Sequence, residues 1–248
     1  MILALVSLHP GAAVITALVG AIVLGSFAQA VTGFGFALVS APIFILALGP
    51  GHGVRLGNMF SCFVSAIGVW SVRRALEART SATLVVPALI TTPLAALLVV
   101  RLDRRVVTVT AGVITIISVL IIWRGVRFPR LRGGRGLVGA AVASAAMNVL
   151  SGLSGPPIAL YSVNAGWDAE RLRRVSQPYF LLLNLAAVIS LGPVLLPPAV
   201  GAPLLISGVV GFVVGRLVSP RLDPVTVRTA VLVVAGAGGV AAVLRGAL

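Results

Sequence analysis

Stretches of roughly twenty apolar residues, the length a helix needs to cross a bilayer core, alternate along the chain with short arginine clusters. On that spacing full-length helices are expected at about 55 to 72, 81 to 100, 106 to 123, 175 to 195, 201 to 218 and 225 to 244. Only 10% of the residues are charged and 59% are hydrophobic, against roughly 25% charged in an ordinary soluble domain. A water-soluble globule cannot be covered with so little polar surface. The expected fold is an all-α polytopic membrane protein.

The net charge of +14 comes from arginines alone, since the chain has no lysine and five acids. On a soluble protein this charge would point to nucleic acid. Here the arginines sit between apolar runs, as cytoplasmic loops of a membrane protein do, so the partners are lipid and substrate, not nucleic acid. A single cysteine, Cys62, and two histidines, His9 and His52, exclude an internal disulfide and a thiolate or multi-histidine metal site. No cofactor or metal is expected. Ala28-Gln29-Ala30 resembles a signal-peptidase site, but no basic segment precedes it, the first arginine being Arg55. The segment therefore reads as retained membrane helix.

Two apolar regions are interrupted. Residues 12 to 48 contain Thr32-Gly33-Phe34-Gly35, and residues 136 to 165 contain Ser151-Gly152-Leu153-Ser154-Gly155-Pro156-Pro157. Glycine and proline break helices, so each region reads as two short helices joined by irregular backbone. A step of 119 residues superposes them, placing Gln29 through Gly35 on Asn148 through Ser154. Downstream, Arg55, Gly57, Asn58 and Phe60 fall on Arg174, Ser176, Gln177 and Tyr179, and Arg101-Leu102-Asp103 recurs at Arg221 to Asp223 after a step of 120. The chain therefore divides into a first repeat at 1–124, an Arg-rich linker at 125–135 and a second repeat at 136–248, each of about five membrane segments.

Arginines at 73 to 79, 124 to 135, 171 to 174 and 216 to 228 all fall on one side, taken as cytoplasmic, while the uncharged link 196 to 203 falls on the other. The cluster at 101 to 105 fits this poorly. Equivalent loops of the two halves carry opposite bias: 73 to 79 is arginine-rich, and its counterpart 192 to 198 has none. An odd number of passes per repeat inverts the second half relative to the first.

Irregular backbone at membrane depth must be buried in protein or line a cavity, so the two glycine loops are expected to face one another. Freed peptide N–H groups and the positive ends of the following helices suit an anion. Gly33, Gly35, Gly152 and Gly155 allow close approach, and Thr32, Ser151 and Ser154 offer hydroxyls, with Phe34 in the first loop. Gln29, Asn148, Asn58 and Gln177 form a symmetric set of amides around the same cavity, and Tyr179 lies nearby in sequence. Amides in membrane helices also bond neighbouring helices, and glycines also serve packing. Arg55 and Arg174 start full helices, as interfacial anchors or as anion attractors at two entrances. All five acids fall in expected loops, so no intramembrane carboxylate relay is visible. An anion leaving a negative interior gains about 2.3 kcal/mol per charge per 100 mV.

These segments, GSFAQAVTGFGFALVSAP at 25–42 and NVLSGLSGPPIALY at 148–161, together with the repeated Arg-Leu-Asp triplet, resemble the sulfite exporter TauE/SafE family, also called the toluene sulfonate uptake permease family. The resemblance spans nearly the whole chain. It implies a multi-pass permease of the bacterial inner membrane for sulfite, a sulfonate or a related small anion, and no enzyme activity. Phe34, Phe36, Leu153 and Ser154 stand where such loops often carry glycine. Alternating access around the loop site is the expected mechanism. An anion channel on the same scaffold and a membrane scaffold without substrate stay open. So does an intramembrane serine protease built on Gly152-Leu153-Ser154-Gly155, although no general base accompanies Ser154.

Overall fold

A computed structural model describes residues 6–7, 11–125 and 133–247. His9 and residues 126–132 of the expected linker lie outside these. Among the described residues nine α-helices account for almost the whole chain: α1 Ala12–Thr32, α2 Gly35–Val72, α3 Ala78–Val99, α4 Arg104–Trp123, α5 Gly133–Ser151, α6 Gly155–Asn164, α7 Ala169–Leu191, α8 Pro198–Val218 and α9 Pro224–Ala247. Six segments are long and apolar enough to cross a membrane. They include α1 and leave out α9; helices nonetheless run through all six ranges expected to be full-length, 55 to 72 as the later part of α2 and 225 to 244 as α9. The start of α7 lies six residues before the expected 175, because the Asp168 carboxylate caps the helix by accepting from Arg171 N at 2.6 Å.

Both glycine loops break the helix. Gly33 and Gly152 take left-handed backbone, with φ of 90° and 74°, which terminates α1 and α5 in the way glycine favours. In each, the glycine N–H donates to a carbonyl one turn back, Gly33 to Gln29 O and Gly152 to Asn148 O, both at 2.8 Å. The helices before the breaks are longer than the short ones expected, 21 residues for α1 and 19 for α5. Nothing upstream of either glycine interrupts them. Those after the breaks are short: α6 has 10 residues, about 15 Å, and α2 bends at Gly49, where φ 78° and ψ 166° are not helical. Pro156 sits in the first turn of α6, where its missing N–H is harmless. Pro42 lies inside α2.

Packing follows the repeat. Helix α1 packs on α8 and α3 on α5, each the other's equivalent under exchange of the halves; α2 packs on α7 and α4 on α9, each pair equivalent to itself. Both self-equivalent pairs run antiparallel. A Cβ on Gly112 would lie 2.7 Å from Gly239 O and from the Val243 side chain, Thr115 touches Gly239, and Val119 lies beside Gly236. Likewise Gly68 abuts the Gln177 side chain, while Cys62 Sγ approaches Leu181 O at 3.9 Å, and 62 and 181 are themselves 119 apart. Small residues let these backbones approach closely, the usual basis of helix association without water. Residues Val6–Ser7 pair in parallel with Val194–Leu195, tying the chain ahead of α1 to the α7–α8 link.

All five acids sit at helix starts; four lie in the connecting segments as expected, and Glu170 lies inside the first turn of α7. Asp103 accepts from Arg105 N at 2.7 Å, Asp168 caps α7, and Asp223 accepts from Thr226 N at 3.0 Å. Glu77 precedes α3 and pairs with Arg171 at 3.2 Å, and Glu170 occupies the first turn of α7. A carboxylate at a helix N-terminus complements the helix dipole.

Candidate functional site

The two loops touch. A Cβ added at Gly155 would lie 2.9 Å from Phe34 O and 3.2 Å from the Phe34 ring, and one at Gly152 would lie 3.3 Å from Ala41 Cβ. Each loop packs against residues of the other interrupted region or of the helix that follows it. Leu153 is fully buried in a cluster with Ala28 and Leu38 that α9 closes with Ala235, whereas Gly33 lies against Arg173, its φ of +90° already excluding most side chains. Gly35 packs on Ala28, where a Cβ would come within 2.7 Å. The first-turn amides of α2 and α6 that converge here have no intrahelical acceptor.

The amides expected to line one cavity form two clusters. Gln29 Nε2 donates to Ser65 Oγ and to Gln177 Oε1, both at 3.2 Å. Asn148 Nδ2 donates to Asn58 Oδ1 at 2.6 Å and to Asn184 Oδ1 at 3.3 Å. Every partner is the other cluster's partner displaced by 119 residues: Gln29 with Asn148, Ser65 with Asn184, Gln177 with Asn58. Gln177 and Asn58 each stand three residues before the middle of their helical segment, 169 to 191 and 50 to 72, about 4.5 Å from it. Because those segments are antiparallel, the clusters straddle the middle from opposite sides. Gln177 Nε2 also donates to Gly33 O at 3.1 Å and Ser176 Oγ to the same carbonyl at 3.3 Å, which fixes the first loop to α7. Asn148 Oδ1 is buried and accepts no hydrogen bond among the described residues.

The loop hydroxyls are committed differently from the expectation. Thr32 Oγ1 donates to Ala28 O and Ser151 Oγ to Met147 O, both at 2.8 Å. Each closes a bond to the carbonyl four residues back, which leaves its oxygen to accept and not its proton to donate. Ser154 is buried, and its carbonyl accepts from Ser144 Oγ at 2.5 Å. Tyr179 is not with the amides: it is buried in the core of α3, α5, α6 and α7, its hydroxyl donating to Ala141 O at 3.4 Å.

Two cavities lie on either side of this region, one reaching the first loop and the other coming as near as Val149, two residues before the second. One, of about 550 Å³, is lined by Thr32, Phe34, Ala169, Arg173, Arg216, Ser219, Pro220 and Leu222. The other, of about 280 Å³, is lined by Pro50, Val54, Arg55, Val99, Val100, Leu102 and Val149. The repeat relates them, since Ala169 and Arg173 map to Pro50 and Val54 at a step of 119, and Ser219, Pro220 and Leu222 map to Val99, Val100 and Leu102 at 120. Arg55 and Arg174 therefore stand at opposite ends of the molecule. Arg55 lines the smaller cavity, while Arg174 lies 3.9 Å from Glu77.

Ser65, Asn184, Ser176 and Arg173 join the site although the sequence placed none of them there. The 119-residue step itself could have found Asn184 opposite Ser65. No such signal marks Arg173, whose repeat mate is Val54.

Comparison with known proteins adds one match. A family model described as Sulfite exporter TauE/SafE covers residues 11–242, which includes both loops, all the amides and both cavities. No curated protein and no solved structure matches.

Proposed function

From the premise that the chain belongs to the sulfite exporter TauE/SafE family, a family of membrane transporters, we propose that it is a secondary carrier for a small sulfur oxyanion, sulfite or a sulfonate, working by alternating access between two inverted halves. The first half comprises residues 1–124, the linker 125–135 and the second half 136–248. The observation that carries this reading is the exchange-related pair of amide clusters, Gln29 with Ser65 and Gln177, and Asn148 with Asn58 and Asn184, on either side of the touching loops. The antiparallel packing of α4 on α9 and of α2 on α7 supports inversion.

The anion is held in this reading by first-turn N–H groups of α2 and α6 at Gly35 and Gly155, and it reaches them along either cavity. Gly33 and Gly152 set the turns, and Thr32 and Ser151 close them. The four amides hold each loop against the opposite half. The larger cavity opens where the arginine-rich loops lie, which the positive-inside rule assigns to the cytoplasm of a bacterial inner membrane. Contact of Phe34 with Gly155 between the cavities supports a carrier over an open pore. The test is flux from proteoliposomes at imposed potential, with sulfite, taurine, sulfoacetate, thiosulfate, sulfate and acetate in turn. A carrier of this class gives saturable flux for a sulfur anion. Linear, unsaturating current would establish a channel, and flux of none of the sulfur anions would remove the substrate assignment.

A further inference from the structure

The two related cavities differ in charge. Arg173 and Arg216 line the larger one, and their repeat mates are Val54 and, at the 120-residue step, Ala96. The smaller cavity has Arg55, whose own mate, Arg174, is drawn toward Glu77. Arg173 is largely buried, with Nη1 3.2 Å from Val31 O and 3.4 Å from Ala30 O, and Nη2 3.9 Å from Glu170. Those carbonyls belong to the last turn of α1, which has no intrahelical donor for them. The remaining edge of the guanidinium is unused: Arg173 Nε is buried and donates to no acceptor among the described residues. Two guanidinium groups lining one cavity, one of them with a buried Nε–H that lacks an acceptor among the described residues, make a place where a compact oxyanion is favoured by focused potential and by charge-assisted hydrogen bonds.

We propose that Arg173 and Arg216 form a second anion subsite in the larger cavity, one that captures a sulfite-like oxyanion before it reaches the glycine loops and makes the cytoplasmic face the high-affinity loading side. This deepens the carrier reading above and rests on it. Thr32 and Phe34 of the first loop line the same cavity, so an anion released from Arg173 is already beside that loop. The smaller cavity offers Val54 at the equivalent point and presents a weaker outer site. Net movement from a negative interior then proceeds from tight to loose binding.

The experiment measures sulfite transport from each face separately, in inverted vesicles and in right-side-out vesicles, for wild type, Arg173→Gln, Arg173→Lys and Arg216→Gln. The expected result in both Gln variants is a cytoplasmic-face KM raised about tenfold with kcat from that face retained, the signature of lost binding before the translocation step, and an outer-face KM within about twofold of wild type with kcat from that face lowered in proportion, because a substitution leaves the transport equilibrium unchanged. Arg173→Lys is expected to recover part of the loss, since it restores charge but not the guanidinium fork. Arg216 is exposed on the last turn of α8, so Arg216→Gln keeps the test valid if Arg173→Gln does not insert. Unchanged cytoplasmic-face KM in Arg216→Gln, or equal changes of KM at both faces, overturns the subsite. Absence of sulfite flux in wild type instead overturns the underlying sulfite-carrier reading, whatever the arginines do.

Discussion

Asn148 Nδ2 donates to Asn58 Oδ1 across 2.6 Å, from α5 to α2, and their repeat mates make the equivalent contact from α1 to α7, Gln29 to Gln177 at 3.2 Å. Hydrogen bonds between membrane helices contribute about 0.6 kcal/mol on average and up to about 1.7 kcal/mol. A double-mutant cycle of Asn58→Leu and Asn148→Leu, read by unfolding in bicelles, is expected to give a coupling in that range. Additive single effects would show that the pair carries no interaction of its own.

Backbone handedness gives a sharper contrast. Gly33→Ala and Gly152→Ala place a Cβ at φ of 90° and 74°, costing about 1–2 kcal/mol each. Gly20, inside α1, has open space where a Cβ would go, so Gly20→Ala is expected to stabilise by about 0.5–1 kcal/mol. Thermal unfolding of the three variants checks the order. Equal behaviour of Gly152→Ala and Gly20→Ala would contradict the left-handed turn.

Inversion is tested by sidedness. Leu76 and Leu195 are repeat mates at a step of 119, and both are exposed, at 37% and 47%. In a Cys62→Ser background, Leu195→Cys is expected to react with an impermeant maleimide added outside intact cells, and Leu76→Cys only after the membrane is opened. Labelling of both from one side would mean parallel halves.

Much of this arrangement is legible in the residues, for physical reasons. Gly33 and Gly152 break their helices because the backbone there must turn left-handed, and an isolated glycine ahead of Phe34-Gly35 or Leu153-Ser154-Gly155 marks such a turn. The amide set was visible because Gln29, Asn58, Asn148 and Gln177 are costly in lipid and recur in register. What the sequence did not reveal depends on tertiary partners. A glycine turn stops a helix without shortening what precedes it, so α1 and α5 are full length. Thr32 and Ser151 spend their protons on carbonyls of their own helices, a choice that composition does not encode. Tyr179 follows Gln177 by two residues and so leaves on another face of α7. Arg173, inside an arginine cluster, reads like any cytoplasmic charge until α1 and α8 are placed beside it.

The most direct measurement is sulfite flux in proteoliposomes carrying Gly33→Leu or Gly152→Leu, each matched to wild type for inserted protein. A Leu at residue 33 must displace the Arg173 stem, 3.0 Å from its Cβ, and one at residue 152 must displace Ala41, so each change closes the meeting place of the loops from a different half. One shared site predicts that either substitution alone stops flux while leaving insertion intact. Flux at the wild-type rate in either variant would contradict it.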